Sequence, residues 1–422
     1  MKRVRYHTKN RGMINLRINV VILFIALIIC KVAWAQTGNI GSVANLKDFF
    51  MQGKFAGDLR LFYMNRHFDT PKTQESMAIG GSLEYDTAVW QGISTGLVVY
   101  TSQGVGFTSL QKDGAGLLAP GQKSYTVLGQ GYLQFETEKN KIKLFRQILD
   151  TPFINPHDTR MTPKTFEAYT LQSRWLKNLS FLVSHVTKMK DRNAAKFKYM
   201  SEAAGFSNTH KPVTLGGVVF TPKEGYTFQF WEYYCYEFMN VVYFQADVNW
   251  KLANDITLSG SAQAFSQQDV GKAWNGDFHT GMVGIEGGIE WHNLNLTLGF
   301  TITDKSHDMV NPWGSWPGYT SIMEEDCNLA GEKAWVVGLS YDFAQLGLRG
   351  LSAFMNHTQA YVPDRGSFSS PDQRETDFTV DYRFSGKFKN LSLRLRAAFV
   401  ENSLSTGDMD YKDYRAILKY NF

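Results

Sequence analysis

The chain is poor in cysteine and proline, with three and 11 among 422 residues. Beyond its N-terminal stretch it has no apolar run near the roughly 20 residues that a membrane-crossing helix needs, which excludes a helical membrane bundle. After Gly53, apolar residues almost never recur at helical spacing, so a helical domain is excluded as well. No metal-ligand spacing, phosphate-cradling loop or solenoid repeat is present, and no cofactor is expected. None of the nine histidines stands beside a serine in a hydrolase arrangement, and only His157-Asp158 and His307-Asp308 adjoin an acid. Without a nucleophile and base in reach, an outer-membrane lipase or protease has no visible machinery, and the chain is read as a non-enzyme.

The N-terminus runs MKRVRYHTKNRGMINLR, then INVVILFIALIIC, then KVAWAQ. A basic region, a short apolar core and an Ala-Trp-Ala pattern describe an export signal over residues 1–35. The rival, a membrane anchor, meets an apolar run of only 13 residues from Ile18 to Cys30. Bulky Ile29 before Cys30 argues against lipoprotein processing. Residues 36–53 then form a periplasmic lead and residues 54–422 the body. The signal holds Lys2, Arg3, Arg5, Lys9, Arg11, Arg17 and Lys31 and no acid, so removing it turns a net charge of +5 into −2. A nucleic-acid partner thereby loses its support. Cys235 and Cys327 remain. Export favours a bridge between them, joining the fifth and seventh outer loops, and two free thiols is the alternative.

What is present is aromatic and alternating. Aromatic residues make up 14% of the chain and glycine 37 positions. About eighteen segments of roughly ten residues, from 54–66 to 411–422, alternate apolar with polar or small residues, the signature of a transmembrane antiparallel β-barrel. Leu294, Leu296, Leu298, Phe300 and Ile302 alternate with Asn295, Thr297, Gly299 and Thr301. Segments 166–174 and 179–188 have weaker faces, and Arg146 falls on the lipid-facing parity, which implies a bulge or a place beyond the membrane band. Short connections (87–92, 138–140, 174–178, 222–224, 291–293) alternate with long ones (103–127, 149–165, 189–212, 304–333, 359–375). Short periplasmic turns and long outer loops produce that parity in the bacterial outer membrane. Trp90, Trp175, Trp250, Trp291, Tyr420 and Phe422 gather at the short-turn end, as an aromatic girdle in contact with lipid does. The last strand, YKDYRAILKYNF, closes on the first, and its aromatic end resembles the signal that barrel-assembly machinery reads.

A barrel of this size leaves a watery bore. Parity turns Arg60, Arg383, Arg394, Arg396, Arg415 and Lys419 inward on the first and last three strands, which closure makes neighbours. Glu84, Asp86, Glu136, Glu286 and Glu290 point inward elsewhere, so a transverse field is expected, in which a carboxylate slides along the cations. The alternative is that inward charges merely solvate a wet lumen. The stretch DTPFINPHDTRMTPKTF (150–166) is either an ordinary surface turn or an outer loop folded inward, with His157, Asp158, Arg160 and Lys164 facing the pore axis.

GKFAGDLRLFYMNR, LDTPFINPHDTRMTPKTF, AGEKAWVVGLSYDF and GKFKNLSLRLRAAF, in that order, resemble the OprD family of outer-membrane porins. The resemblance implies an eighteen-stranded barrel, monomeric or a loose homotrimer, that takes up amino acids or other carboxylates along a basic ladder. It maps the ladder onto Arg60, Arg394, Arg396 and Arg415 with Arg383 and Lys419, and the constriction onto Asp158, Thr159 and Arg160. NPWGSWPGYTSIMEEDC resembles the family's inward-folded seventh loop, with Tyr319 and Ser321 at the pore mouth and Glu324, Glu325 and Asp326 favouring solutes that carry an amine. The Gly-rich second loop departs from the family pattern. A non-selective porin and an adhesin or receptor that uses the long loops are the rival functions.

Overall fold

The computed structural model describes residues 42–69, 73–106, 109–252, 255–363, 371–403 and 410–422. The expected signal segment and the start of the expected lead lie outside these residues. Eighteen strands form the wall. The first six are β1 (Lys54–Phe68), β2 (Thr73–Asp86), β3 (Ile93–Gly104), β4 (Tyr125–Glu136), β5 (Asn140–Gln147) and β6 (Thr165–Leu176). Then come β7 (Leu179–Lys190), β8 (Val213–Phe220), β9 (Tyr226–Cys235), β10 (Met239–Lys251), β11 (Ile256–Asp269) and β12 (His279–Trp291). The last are β13 (Leu294–Thr303), β14 (Lys333–Asp342), β15 (Leu351–Tyr361), β16 (Asp372–Arg383), β17 (Leu391–Ser403) and β18 (Tyr411–Asn421). An extra two-residue strand, Lys198–Tyr199, belongs to the fourth outer loop and pairs with β7.

Each strand pairs antiparallel with the next, and β18 returns to β1 in a register running from Asp58 opposite Asn421 to Phe68 opposite Tyr411. Two backbone bonds between Gly57 and Phe422, of 3.0 and 3.1 Å, seal the seam at the short-turn end. Closure matters because an unpaired amide in hydrocarbon costs several kcal/mol. The outer face is apolar and open: Leu59, Val283, Ile285 and Leu298 are exposed outward. Trp250, Trp291, Tyr420 and Phe422 are exposed at the girdle, where the Trp250 Nε1 donates to the Tyr226 hydroxyl at 2.9 Å. Trp90 is half-buried in the first short turn, and the Trp175 side chain lies outside the described residues.

The two weak segments form as β6 and β7, and a register shift between Glu167 and Ala168 accounts for their blurred faces. Arg146 does point outward. Phe145 before it has a left-handed φ of 76°. The Arg146 guanidinium lies 4.0 Å from Glu167 and 4.4 Å from the ring centroid of Phe197, so a loop side chain and a carboxylate cover it. The segment before β1 contains helix α1 (Leu46–Met51), N-capped by Asn45. Ala88 N donates to Phe49 O and the Tyr85 hydroxyl to Phe50 O, which fastens α1 beside the first short turn.

The bore is far from empty. Inward residues of β8–β12 (Leu215, Trp231, Tyr233, Val241, Tyr243, Phe265, Met282) form an apolar pad. Phe153 and Ile154 of the third outer loop (148–164) and Trp313 and Trp316 of the seventh (304–332) pack on it. Phe153 is fully buried, with ring centroids of Tyr233, Tyr243, Phe265 and Trp316 at 5.5, 6.0, 5.8 and 5.7 Å. The Trp313 Nε1 donates to Met200 O at the start of helix α2 (Met200–Ala203), tying the fourth loop (191–212) to the seventh. On the opposite side Leu117 and Leu118 of the second loop (105–124) pack on Phe62 and Met64 of β1 together with Met161. Three loops therefore fold inward.

The expected bridge is corrected: Cys235 and Cys327 are free, buried thiols. Cys235 is the last residue of β9 rather than a loop residue, and its inward parity commits it to the apolar pad. Cys327 packs with Ala334 and Ala360 in a separate cluster.

Candidate functional site

The third loop crosses the lumen between the apolar pad and the charged wall of β16, β17, β18 and β1. Three prolines and a left-handed φ of 41° at His157 give it an irregular course that no strand could follow. Thr151 N and the Ile154 carbonyl close a tight turn at 2.9 Å beneath Phe153. On the charged side, the Arg60 guanidinium grips Asp158 through both nitrogens at 3.0 Å each and also donates to Arg160 O. A fork on a carboxylate fixes orientation as well as distance. Arg60 is 7% exposed, so it serves chiefly to fasten the loop.

Arg415 is also withdrawn from the lumen. At 4% exposure it donates to Asp413 and to Glu324 of the seventh loop. Arg66 shares both carboxylates. The two backbone amides of Glu324 and Glu325 donate to the buried Glu375 carboxylate of β16 at 2.8–3.1 Å. Of the run Glu324-Glu325-Asp326 in the seventh loop, Glu324 is thus consumed in anchoring and Asp326 is the exposed one, accepting from the Ser321 hydroxyl at 2.9 Å. Tyr319 stands away from the basic wall; its backbone adjoins Gly299 of β13, and its charged surroundings are Asp247 and Glu286.

The remaining cations are open. Arg396 donates through Nε to the Thr379 hydroxyl and is half-buried. Arg394 forks onto Asp381 at 2.7 and 2.8 Å while its side chain stays 48% exposed. Lys419 lies 4.0 Å from Asp58, and Arg383 is exposed at the periplasmic end of β16. Together with Arg60 and Asp158, the Arg383, Arg394 and Lys419 side chains line a cavity of about 280 Å³ below the third loop. Same-face neighbours on one strand are ~6.6 Å apart, so Arg396 and Arg394 are successive steps toward the periplasm.

Above that cavity the third and fourth loops add cations. Arg192 donates to the Thr159 hydroxyl at 2.5 Å and to His157 Nε2 at 3.2 Å. Arg160 donates to Ala115 O of the second loop and to Thr159 O, both at 3.0 Å. Burial and then Arg192, Lys164 and Arg160 push His157 down to about 3, so its ring is neutral and its Nε2 accepts. Burial also pushes Lys164 down to about 8, opposed by Asp191. The expected constriction residues Asp158, Thr159 and Arg160 are therefore contiguous with Arg192 and Lys164. Arg192 escaped the sequence reading because no strand parity governs a loop. The apolar pad also escaped it; the shared parity of Trp231 with Tyr233 and of Val241 with Tyr243 is the signal that could have found it.

Comparison with known proteins agrees with this architecture. Residues 47–422 match the family described as outer membrane porin, OprD family. Porin D of Pseudomonas aeruginosa is 20% identical over 416 residues, covering 90% of this chain and 93% of that one. Among solved structures, P. aeruginosa OccK9 (OpdG) superposes with a TM-score of 0.80 at 22% identity, over 89% of this chain and 99% of that one. P. aeruginosa OpdK with vanillate gives 0.77 at 18% identity, with the same coverage.

Proposed function

The chain belongs to the OprD family of outer-membrane porins, and from that premise we propose that it admits small carboxylate-bearing solutes by passive diffusion. The observation that carries this reading is the set of open cations on one wall, Arg396, Arg394, Lys419 and Arg383, descending from the third loop to the periplasmic end. A carboxylate exchanges its water for one guanidinium or ammonium after another, and no single station holds it tightly enough to stop it. Vanillate, which accompanies the related OpdK structure, is an aromatic carboxylate, and the same chemistry is assigned here to the solute. Asp158, Thr159 and Arg160 form the narrow passage, and Tyr319 and Ser321 belong to its approach.

The decisive measurement is reversal potential across a planar bilayer under a salt gradient. Anion preference in the native chain, lowered severalfold in Arg394→Ala/Arg396→Ala, is the expected result. A leak with no preference, unchanged by those substitutions, leaves a general diffusion porin. An adhesin or receptor barrel gives no unitary current steps at all.

A further inference from the structure

The lipid-facing side of the wall is not smooth. At the loop end of β7, β8 and β9 a groove of about 1240 Å³ opens outward. Strand register builds it in rows. Phe181, Val218 and Phe230 stand abreast at the bottom. Above them Gly216 lies between Val183 and Glu232, and a Cβ at that position would meet no other atom within 4 Å, so the absent side chain opens the floor. At the top His185 Nδ1 and the Thr214 hydroxyl are hydrogen-bonded at 2.9 Å. His210 and Lys211 of the fourth loop complete the rim. An apolar groove alone selects nothing, because lipid tails are as apolar as the wall. The rim is selective. Glu232 shares the lipid-facing parity of Phe230 and accepts from Asn240 Nδ2 at 3.1 Å; a carboxylate at that level needs further polar groups against it. The Lys211 backbone is pinned to Ser201 by hydrogen bonds of 2.9 and 3.2 Å. Among the described residues its ammonium has neither a hydrogen-bond nor an ion-pair partner. Lys188, 5.0 Å from the Tyr199 ring on which His210 stacks, is by contrast matched by Glu167.

We propose that this groove seats one phosphorylated glycolipid of the outer leaflet, the lipid A part of lipopolysaccharide. An acyl chain lies over Gly216, a phosphate meets Lys211, and sugar hydroxyls donate to Glu232. Charge complementarity selects the occupant: the phosphate supplies the anion that Lys211 lacks, in a charge-assisted hydrogen bond. The place of the groove, beside the long outer loops, selects the leaflet. The inference concerns the outside of the barrel and does not depend on which solute passes.

The test is native mass spectrometry of the full folded chain, released from detergent after incubation with lipid A, its dephosphorylated form or phosphatidylethanolamine. One lipid A per chain is expected, half-occupied at a concentration at least about tenfold below that of either control lipid. Gly216→Trp, which fills the groove, raises the lipid A value by about tenfold or more. Lys211→Gln raises it severalfold and Lys211→Arg restores it, whereas Leu298→Trp, on the lipid face of β13, leaves it unchanged. Heat-modifiable migration on gels confirms that each variant is folded. Equal retention of the three lipids overturns the proposal and leaves an unselective acyl groove. So does lipid A retention indifferent to Gly216→Trp and Lys211→Gln, which places the lipid elsewhere on the wall. Oligomers of the chain that Gly216→Trp dissociates, with lipid A retention unaltered, overturn it in favour of a second copy in the groove.

Discussion

Arginines of one wall divide between two tasks, and substitution separates them. Arg415 sits with Asp413 and Glu324 in a nearly dry cluster. Removing one partner from such a group typically costs about 3–5 kcal/mol. Arg415→Ala is therefore expected to lower unfolding stability by that order in urea titrations of vesicle-embedded protein. Arg383→Ala, at an exposed site, should leave stability within error and weaken anion preference instead. Lys164 supplies a titration. Its ammonium is charged below about 8 and loses its proton as pH rises past that value, with Asp191, Arg192 and Asp326 the charged groups facing it. Anion preference in reversal potentials should fall between pH 7 and pH 9, and Lys164→Gln should shrink the change. Strand periodicity turned every one of the six expected ladder residues inward. It could not show which would be spent on anchoring, because the partners are loop carboxylates 98 and 91 residues away along the chain.

Among elements, the third loop decides the bore, and its hold on the wall is chiefly aromatic. Truncating a fully buried phenylalanine costs about 3–5 kcal/mol, and here the loss falls on one loop with four ring partners. Phe153→Ala should free that loop while the wall stays closed. Larger and noisier unitary conductance with unchanged far-ultraviolet circular dichroism is the expected readout; unchanged conductance would show that other contacts suffice. The strands themselves were legible to within a few residues, since lipid outside and water inside impose a period of two along their whole length. Loops obey no such period. The Gly-rich second loop gave no hint that Leu117 and Leu118 would turn inward, except indirectly, through Phe62 and Met64 on the watery parity of β1. Cys235 was assigned to a bridge from the fifth loop because the inward parity it shares with Trp231 and Tyr233 was not followed to the last residue of β9.

For the whole molecule, closure is the condition on which everything else depends. The seam between β1 and β18 carries eleven paired positions and ends on Phe422. Deleting β18 (411–421) with Phe422 exposes two strand edges in hydrocarbon, and no heat-modifiable, detergent-resistant species should form. The architecture also keeps its duties apart. Aromatic packing on β8–β12 secures the inward loops from one side and buried Arg60, Arg66 and Arg415 from the other, whereas the open groups of Arg383, Arg394 and Lys419 hold no outer loop. Inheritance can therefore tinker with the filter while sparing the scaffold, and a lineage changing its diet need not relearn how to fold.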